Sequence, residues 1–311
     1  MEIRKSIFAI RAEFYLILMT VIWGGTFIFI KISLDSLDPF FFLTARFGIA
    51  LLGSLLIWRK SLAQIPRDSY LVGLGLGGIV YLGFVLQTLG LQDTSATKSG
   101  FITSAYVVFT PIIESILYRK LPSLIRFFSV CLVIFGIFLI SFGGSSLFHW
   151  NLETSFSIGD VYTLISAFFF AVYIVLIDYA TRRKNEKGLL FGQISGNFFL
   201  ALLYLSVKVF IFHETLLVQW SGIAIFGILY TGILATIVSV LIQTRFQKAV
   251  TPTRAGLIFS LEPVFASIFA FAIAGEVLQF MGWIGCIVVM CGILLSEIPW
   301  KQLLKKSSNL S

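Results

Sequence analysis

Charge is scarce in this 311-residue chain: Asp, Glu, Lys and Arg supply 12% of it, against roughly 25% in a soluble domain. Hydrophobic residues supply 58%, more apolar surface than a water-soluble protein of this length could hide, so lipid is the expected solvent. Histidine is nearly absent. The two present, His149 and His213, fall in predicted loops, and no HExxH, GxSxG or phosphate-binding glycine loop accompanies them. An embedded enzyme therefore has no catalytic cluster to work with, and no metal or cofactor is expected. Cysteine is limited to Cys131, Cys286 and Cys291, all inside apolar runs, where they read as packed thiols rather than disulfides or metal ligands. Large extramembrane parts, which a receptor would carry, are missing. So is the ring of repeated charge or filter-like segment of a channel. The net charge of +8 is broken into short basic clusters between apolar runs, the spacing of topology signals and not of a phosphate-tracking stripe, so nucleic acid is not an expected partner.

What is present is a series of ten apolar runs, each close to the length that spans a bilayer. They lie at roughly 14–34, 39–58, 69–91, 98–118, 124–142, 159–179, 190–211, 221–243, 255–275 and 278–297. The N-terminus has the basic-then-apolar order of a signal peptide, but its apolar run continues to Leu34 and reads as an uncleaved first span. With ten spans, 19 of the 23 bases fall on one side, in clusters such as Arg59, Lys60 and Arg67 or Arg182, Arg183, Lys184 and Lys187. The opposite loops, at 35–38, 143–158 and 212–220 and around Glu276, hold no Lys or Arg; only Lys98 borders that side. The positive-inside rule then places both termini in the cytoplasm. With no organellar transit or retention signal apparent, a bacterial inner membrane is the expected location.

Ten spans divide into five and five, and an odd number per half makes the second half enter the membrane from the opposite side. The fold class expected is an all-α integral membrane protein of ten transmembrane helices in two inverted five-helix repeats. The halves are 1–142 and 159–300, joined by an extracytoplasmic linker at 143–158 and followed by a basic tail at 301–311. A weak echo supports the division: Thr97 to Leu121 and Thr251 to Leu278 share a Thr, base, small residue and Gly at the start and a proline inside, Pro111 and Pro263. Aligning Gly100 with Gly256 leaves the prolines four residues out of step, about one helical turn. Paired, proline-interrupted apolar segments point to a transporter's binding site.

Several short stretches resemble the EamA-type branch of the drug/metabolite transporter superfamily, and the likeness covers nearly the whole chain. They are Trp23-Gly24-Gly25-Thr26-Phe27 followed by Lys31, Arg46-Phe47, Gly159-Asp160, the stretch SLEPVF at 260–265, Gly275-Glu276, and Gly282 followed by Gly285. The first half lacks a counterpart of Gly275-Glu276 and carries Arg119-Lys120 near that point. The resemblance implies two inverted repeats and export or exchange of small organic solutes, whether amino acids, other metabolites, nucleotide sugars or drugs. Partners are then the solute and the lipid bilayer, with protons added if a carboxylate titrates during the cycle; the oligomeric state stays open.

Polar residues inside the spans are the candidates for transport. A proline lacks a backbone donor and clashes with the carbonyl four residues back, Phe259 for Pro263 and Val107 for Pro111, so both are places where a helix break lining an aqueous cavity is expected. Glu262 lies roughly 11 Å into its span, where a carboxylate must face the bundle interior, pair with a base such as Arg254, or hold a proton. It is the candidate for amine recognition or proton coupling. Arg46, similarly deep in the second span, can clamp a carboxylate or phosphate, or pair internally. Trp23, Tyr81, Tyr106, Tyr230 and Thr231 lie at mid-depth, with Gln87 and Gln243 nearer span ends, the mixture of apolar wall and few polar groups typical of small-molecule sites. Lys31, Glu114 and Lys208 lie near span ends, where snorkelling explains them. Gly73, Gly75, Gly77 and Gly78 suit close helix contact rather than binding. Proton-coupled antiport, uncoupled facilitation and drug efflux all remain compatible with these residues.

Overall fold

Asp38 shows how the chain starts its helices: its carboxylate accepts from the backbone N–H groups of Phe40 and Phe41 (2.9 and 3.3 Å) and Pro39 follows, so helix α2 (Pro39–Trp58) begins there. The computed structural model describes residues 2–117, 124–142, 157–249 and 258–297. Within them α1 is Glu2–Leu34, α3 Arg67–Asp93, α4 Ala96–Thr103, α5 Tyr106–Leu117, α6 Leu124–Phe142, α7 Ile158–Thr181 and α8 Glu186–Ser206. Then come α9 (Gly222–Leu229), a π-helical stretch Tyr230–Val238, α10 (Ser239–Phe246), α11 (Glu262–Ala274) and α12 (Phe280–Glu297). No strand occurs among the described residues; a single antiparallel bridge joins Leu37 to Val218.

Among the described residues six helices are long and apolar enough to cross a membrane: Arg11–Leu34, Pro39–Gln64, Arg67–Asp93, Ile158–Thr181, Glu186–Ile211 and Gly222–Ala249. Shorter apolar helices cover Phe127–Ile140, Glu262–Ala274 and Phe280–Leu295. Large side chains such as Leu56, Phe210 and Phe271 stand more than half exposed around the bundle. Such a belt suits hydrocarbon and would drive aggregation in water. The chain is a multi-pass integral membrane protein.

Helix packing follows residue size. α3 lies against α7 and α8, and α2 against α8 and the π-stretch. α1 contacts α9, α10 and α11; α4 and α5 contact α7; α4 meets α11; α6 pairs with α12. At the α3–α8 crossing a β-carbon on Gly73 would come within 2.6 Å of the Leu189 carbonyl, and one on Gly77 would collide with the Gln193 main chain. Those two glycines thus do the close packing expected of them. Gly75 and Gly78 do not: the first faces open space and the second meets only the Leu200 side chain, at 3.6 Å.

The helix breaks require a correction. Pro111 lies within α5, and the interruption comes earlier, at Ser104–Ala105 between α4 and α5. The second break is the turn at Ser260–Leu261, with Pro263 in the first turn of α11, where its missing N–H costs nothing. With Gly100 aligned on Gly256, the two breaks fall in step even though the prolines do not. Ser104 matches Ser260, and Tyr106 matches Glu262. Residues 143–156, which hold most of the expected linker, and Arg119, Lys120 and Arg254 lie outside the described residues.

Replacing Gly77 by Val should force α3 and α8 apart, an overpacking cost of about 1–3 kcal/mol. The expected result is a lower melting temperature and poorer recovery in detergent, measured beside Gly75→Ala, which meets open space and should behave as the parent.

Candidate functional site

Local sequence brings four helices close to one point. Gly24 lets α1 approach the backbone of Phe265 and Ala266 in α11, and Gly100 lets α4 approach Ala266 from the other side. Trp23 beside Gly24, and Glu262 one turn before Ala266, are thereby drawn to the bundle interior. There the hydroxyl of Tyr106 donates to Glu262 Oε2 at 2.6 Å, both side chains being buried. The residues that follow the two helix breaks, and that match when Gly100 is aligned on Gly256, therefore bond each other directly.

This pair forms part of the wall of a cavity of about 80 Å³, counted as the space open to the centre of a water molecule. That is room for several waters or a small organic solute. Ten segments contribute: Trp23 and Thr26 from α1, Arg46 from α2, Val80, Phe84 and Gln87 from α3, Thr103 from α4, Tyr106 from α5, and Phe170, Tyr173 and Ile174 from α7. Gln193 and Asn197 of α8, Ala235 and Thr236 of the π-stretch, Val240 and Gln243 of α10, and Glu262 of α11 complete it. α6, α9 and α12 stand outside.

Arg46 is 2% exposed. Its guanidinium lies over the rings of Phe84 and Phe47 (4.6 and 5.2 Å), an arrangement that favours a cation. Its Nε donates to Thr236 Oγ1 at 3.2 Å, and that hydroxyl donates on to the Thr231 carbonyl, five residues back, at 2.8 Å. The π-helical turn is what puts residue and carbonyl at that spacing. Among the described residues no carboxylate lies within ion-pair distance of Arg46, and its Nη1 is buried without a partner. An acid and a base thus share one cavity without pairing. Amides surround them: Tyr173 donates to Oε1 of both Gln193 (2.6 Å) and Gln243 (3.3 Å), leaving Gln243 Nε2 and Asn197 Oδ1 buried and unpartnered. Gln87 Nε2 donates to Thr103 Oγ1 at 3.3 Å.

Of the residues expected from sequence, Trp23, Arg46, Tyr106, Gln243 and Glu262 meet here, with Gln87 beside them. Tyr81, Tyr230 and Thr231 do not line the cavity. Tyr230 donates to the Ile22 carbonyl (2.9 Å), Thr231 bonds back to Gly227 (2.7 Å), and Tyr81 is fully buried with its hydroxyl unpartnered. Pro111 and Pro263 are likewise absent from the wall. Lys31 does not snorkel but caps the end of α3, donating to the carbonyls of Leu91 and Thr94, and Lys208 bridges Asp38 and Glu214. Sequence reasoning missed Tyr173, Gln193, Asn197 and Thr236. Gln193 and Asn197, four residues apart in an apolar span, were a usable signal, since amides at that depth need internal partners.

The profile of the EamA-like transporter family matches residues 10–142 and again 157–298. The chain belongs to the EamA-like transporter family. It is 33% identical to an uncharacterised transporter of Archaeoglobus fulgidus over 287 residues, 92% of this chain and 86% of that one. Over 152 residues, 46% of each chain, it is 31% identical to the S-adenosylmethionine/S-adenosylhomocysteine transporter of Chlamydia muridarum. A solved crystal structure superposes with a TM-score of 0.62 at 15% identity, over 93% of this chain and 96% of the other, a likeness of fold alone.

Tyr106→Phe removes a buried hydrogen bond worth about 1–3 kcal/mol with the acceptor left behind. It should lower the melting temperature of this transporter by several degrees. Tyr81→Phe, which deletes a hydroxyl that has no partner, should leave it unchanged or raise it.

Proposed function

We propose that this EamA-family protein is a secondary transporter that exports or exchanges small zwitterionic metabolites, amino acids or related solutes, by alternating access across the inner membrane. The observation carrying this reading is the buried cavity that holds Arg46 and Glu262 unpaired. A buried lone charge is costly, and two of opposite sign kept apart suit a ligand bearing both a carboxylate and an amine. Arg46 takes the carboxylate and Glu262 the ammonium group, with Trp23 and Phe84 supplying apolar wall. The compounds named for the Chlamydia relative carry both groups, which agrees with this assignment.

The architecture behind it is ten spans in two inverted repeats, residues 1–142 and 159–300. Three observations support it: the family profile matches once in each half, the helix breaks fall in step, and the contacts exchange under the repeat. Pairing α1 with α7, α2 with α8, α3 with 222–249, α4–α5 with 258–274 and α6 with α12 turns the α1–α11 contact into α7–α4/α5. It turns α3–α7 into that of 222–249 with α1, and leaves α2–α8, α4–α11 and α6–α12 as they are. The basic clusters support an orientation with both termini in the cytoplasm. Proton coupling fits Glu262, whose bond to Tyr106 ties the two breaks: protonation or ammonium binding alters that tie, and so the angle between the halves.

Proteoliposomes loaded with a pool of amino acids and metabolites, with and without a pH gradient, test the reading. One solute class should leave, and accumulate uphill when protons flow. Glu262→Gln should lose the pH-driven accumulation; retention of both uphill transport and pH response contradicts the role given to Glu262. Arg46→Gln should raise KM by about tenfold or more, as loss of a charge-assisted contact predicts. An unchanged KM for every transported solute removes Arg46 from the site.

A further inference from the structure

Asp160 and Glu276 belong to the sequence elements singled out above, yet neither touches the cavity. They lie on the face formed by the ends of α1 and α3 and the starts of α4 and α7. Glu276 follows Gly275, which ends α11 in the left-handed conformation (φ 64°) and turns the chain sharply. Its carboxylate reaches across to the other half. Oε1 accepts from the Ala96 N–H (3.0 Å), and Oε2 from the N–H and hydroxyl of Thr97 (both 3.0 Å). The remaining first-turn donors of α4 are met locally, Lys98 N–H by the Ser95 hydroxyl and Ser99 N–H by the Ser95 carbonyl. The carboxylate therefore completes the N-terminal cap of a helix 180 residues away in sequence, with charge and helix dipole in the favourable sense. Beside it, fully buried Asp160 accepts from Thr94 Oγ1 (2.5 Å) and Lys98 Nζ (3.0 Å), while Lys31 holds the carbonyls of Leu91 and Thr94.

The geometry points to a one-sided gate: Glu276 latches the extracytoplasmic ends of α4 and α11 together and holds the transporter closed on that face at rest. α4 and α11 are the short outer arms of the two broken helices, and their hinges, Ser104–Ala105 and Ser260–Leu261, flank the Tyr106–Glu262 bond. Opening that face must part the arms, and then the three donors on α4 lose their acceptor. The position equivalent to Glu276 in the first half is Lys120, preceded by Arg119. A base has no lone pair to offer a helix N-terminus, so this latch cannot be reproduced by its counterpart at the cytoplasmic face. Solute is then loaded from the cytoplasm, and the latch is released when the cavity is occupied. The inference rests on the topology proposed above but not on the identity of the solute.

Alkylation of a cavity thiol tests it. Ile174→Cys is introduced in the full chain with Cys131, Cys286 and Cys291 each changed to Ser, and an impermeant maleimide is added to right-side-out or inside-out vesicles. His213→Cys, in the loop after α8, reports independently which side is outside. The parent should react slowly from the extracytoplasmic side. Glu276→Ala should react about tenfold faster from that side, the shift expected when charge-assisted bonds favouring one state are lost. Thr97→Val, which removes one bond of three, should fall between. Rates unchanged in a Glu276→Ala protein whose gel-filtration profile matches the parent overturn the latch, as does acceleration confined to the cytoplasmic side. If His213→Cys reacts from the cytoplasm, the topology fails, separately from the latch.

Discussion

Hydrocarbon offers no hydrogen-bond partner, so a polar group in this chain is costly unless the protein satisfies it or it faces a cavity. Where the two helices are interrupted, at Ser104–Ala105 and Ser260–Leu261, that requirement converges on a single bond, Tyr106 to Glu262. Without it, a carboxylate and a phenol would both stand unpartnered near the middle of the bundle. Small residues make the convergence possible, since Gly24, Gly100 and Ala266 allow α1, α4 and α11 to meet closely enough to bring the bond together. The cavity and its charges follow from that arrangement.

Two kinds of polar site result, and they differ in completeness. The network at the face of Lys31, Asp160 and Glu276 has each charged group hydrogen-bonded, Lys98 and Asp160 as an ion pair, and the start of α4 capped. The cavity has unmet groups on Arg46, Gln243 and Asn197. Unsatisfied buried groups are expensive, and they are tolerated where function uses them. A well-bonded helix junction beside an incompletely satisfied cavity separates the groups that hold the bundle together from the groups left free to meet a solute.

Much of this was legible in the sequence because lipid makes the pattern coarse. Apolar runs of spanning length survive any local detail, and Glu262 and Arg46 stand out because nothing else in their runs is charged. What escaped was the register of side chains around each helix. Tyr81 and Tyr230 sit at the right depth but face other helices, and depth alone carries no information about facing. The breaks escaped for a different reason. Proline is the sequence marker of a break, yet Pro263 starts a helix and Pro111 continues one, while the interruptions fall at Ser104 and Ser260. The π-stretch was invisible too, because nothing in the composition of Tyr230 to Val238 distinguishes a π-turn from an α-turn. Tyr173, Gln193 and Asn197 gain meaning only once α7, α8 and α10 are placed side by side.

The central claim is that opposite charges in one cavity bind opposite ends of one solute. Calorimetric titration of the purified protein with a transported zwitterion, its carboxyl-capped amide and its deaminated acid tests it most directly. The account predicts that each capped form binds at least about tenfold more weakly, because each leaves one buried charge unmatched. Equal affinity for the zwitterion and both capped forms would contradict it.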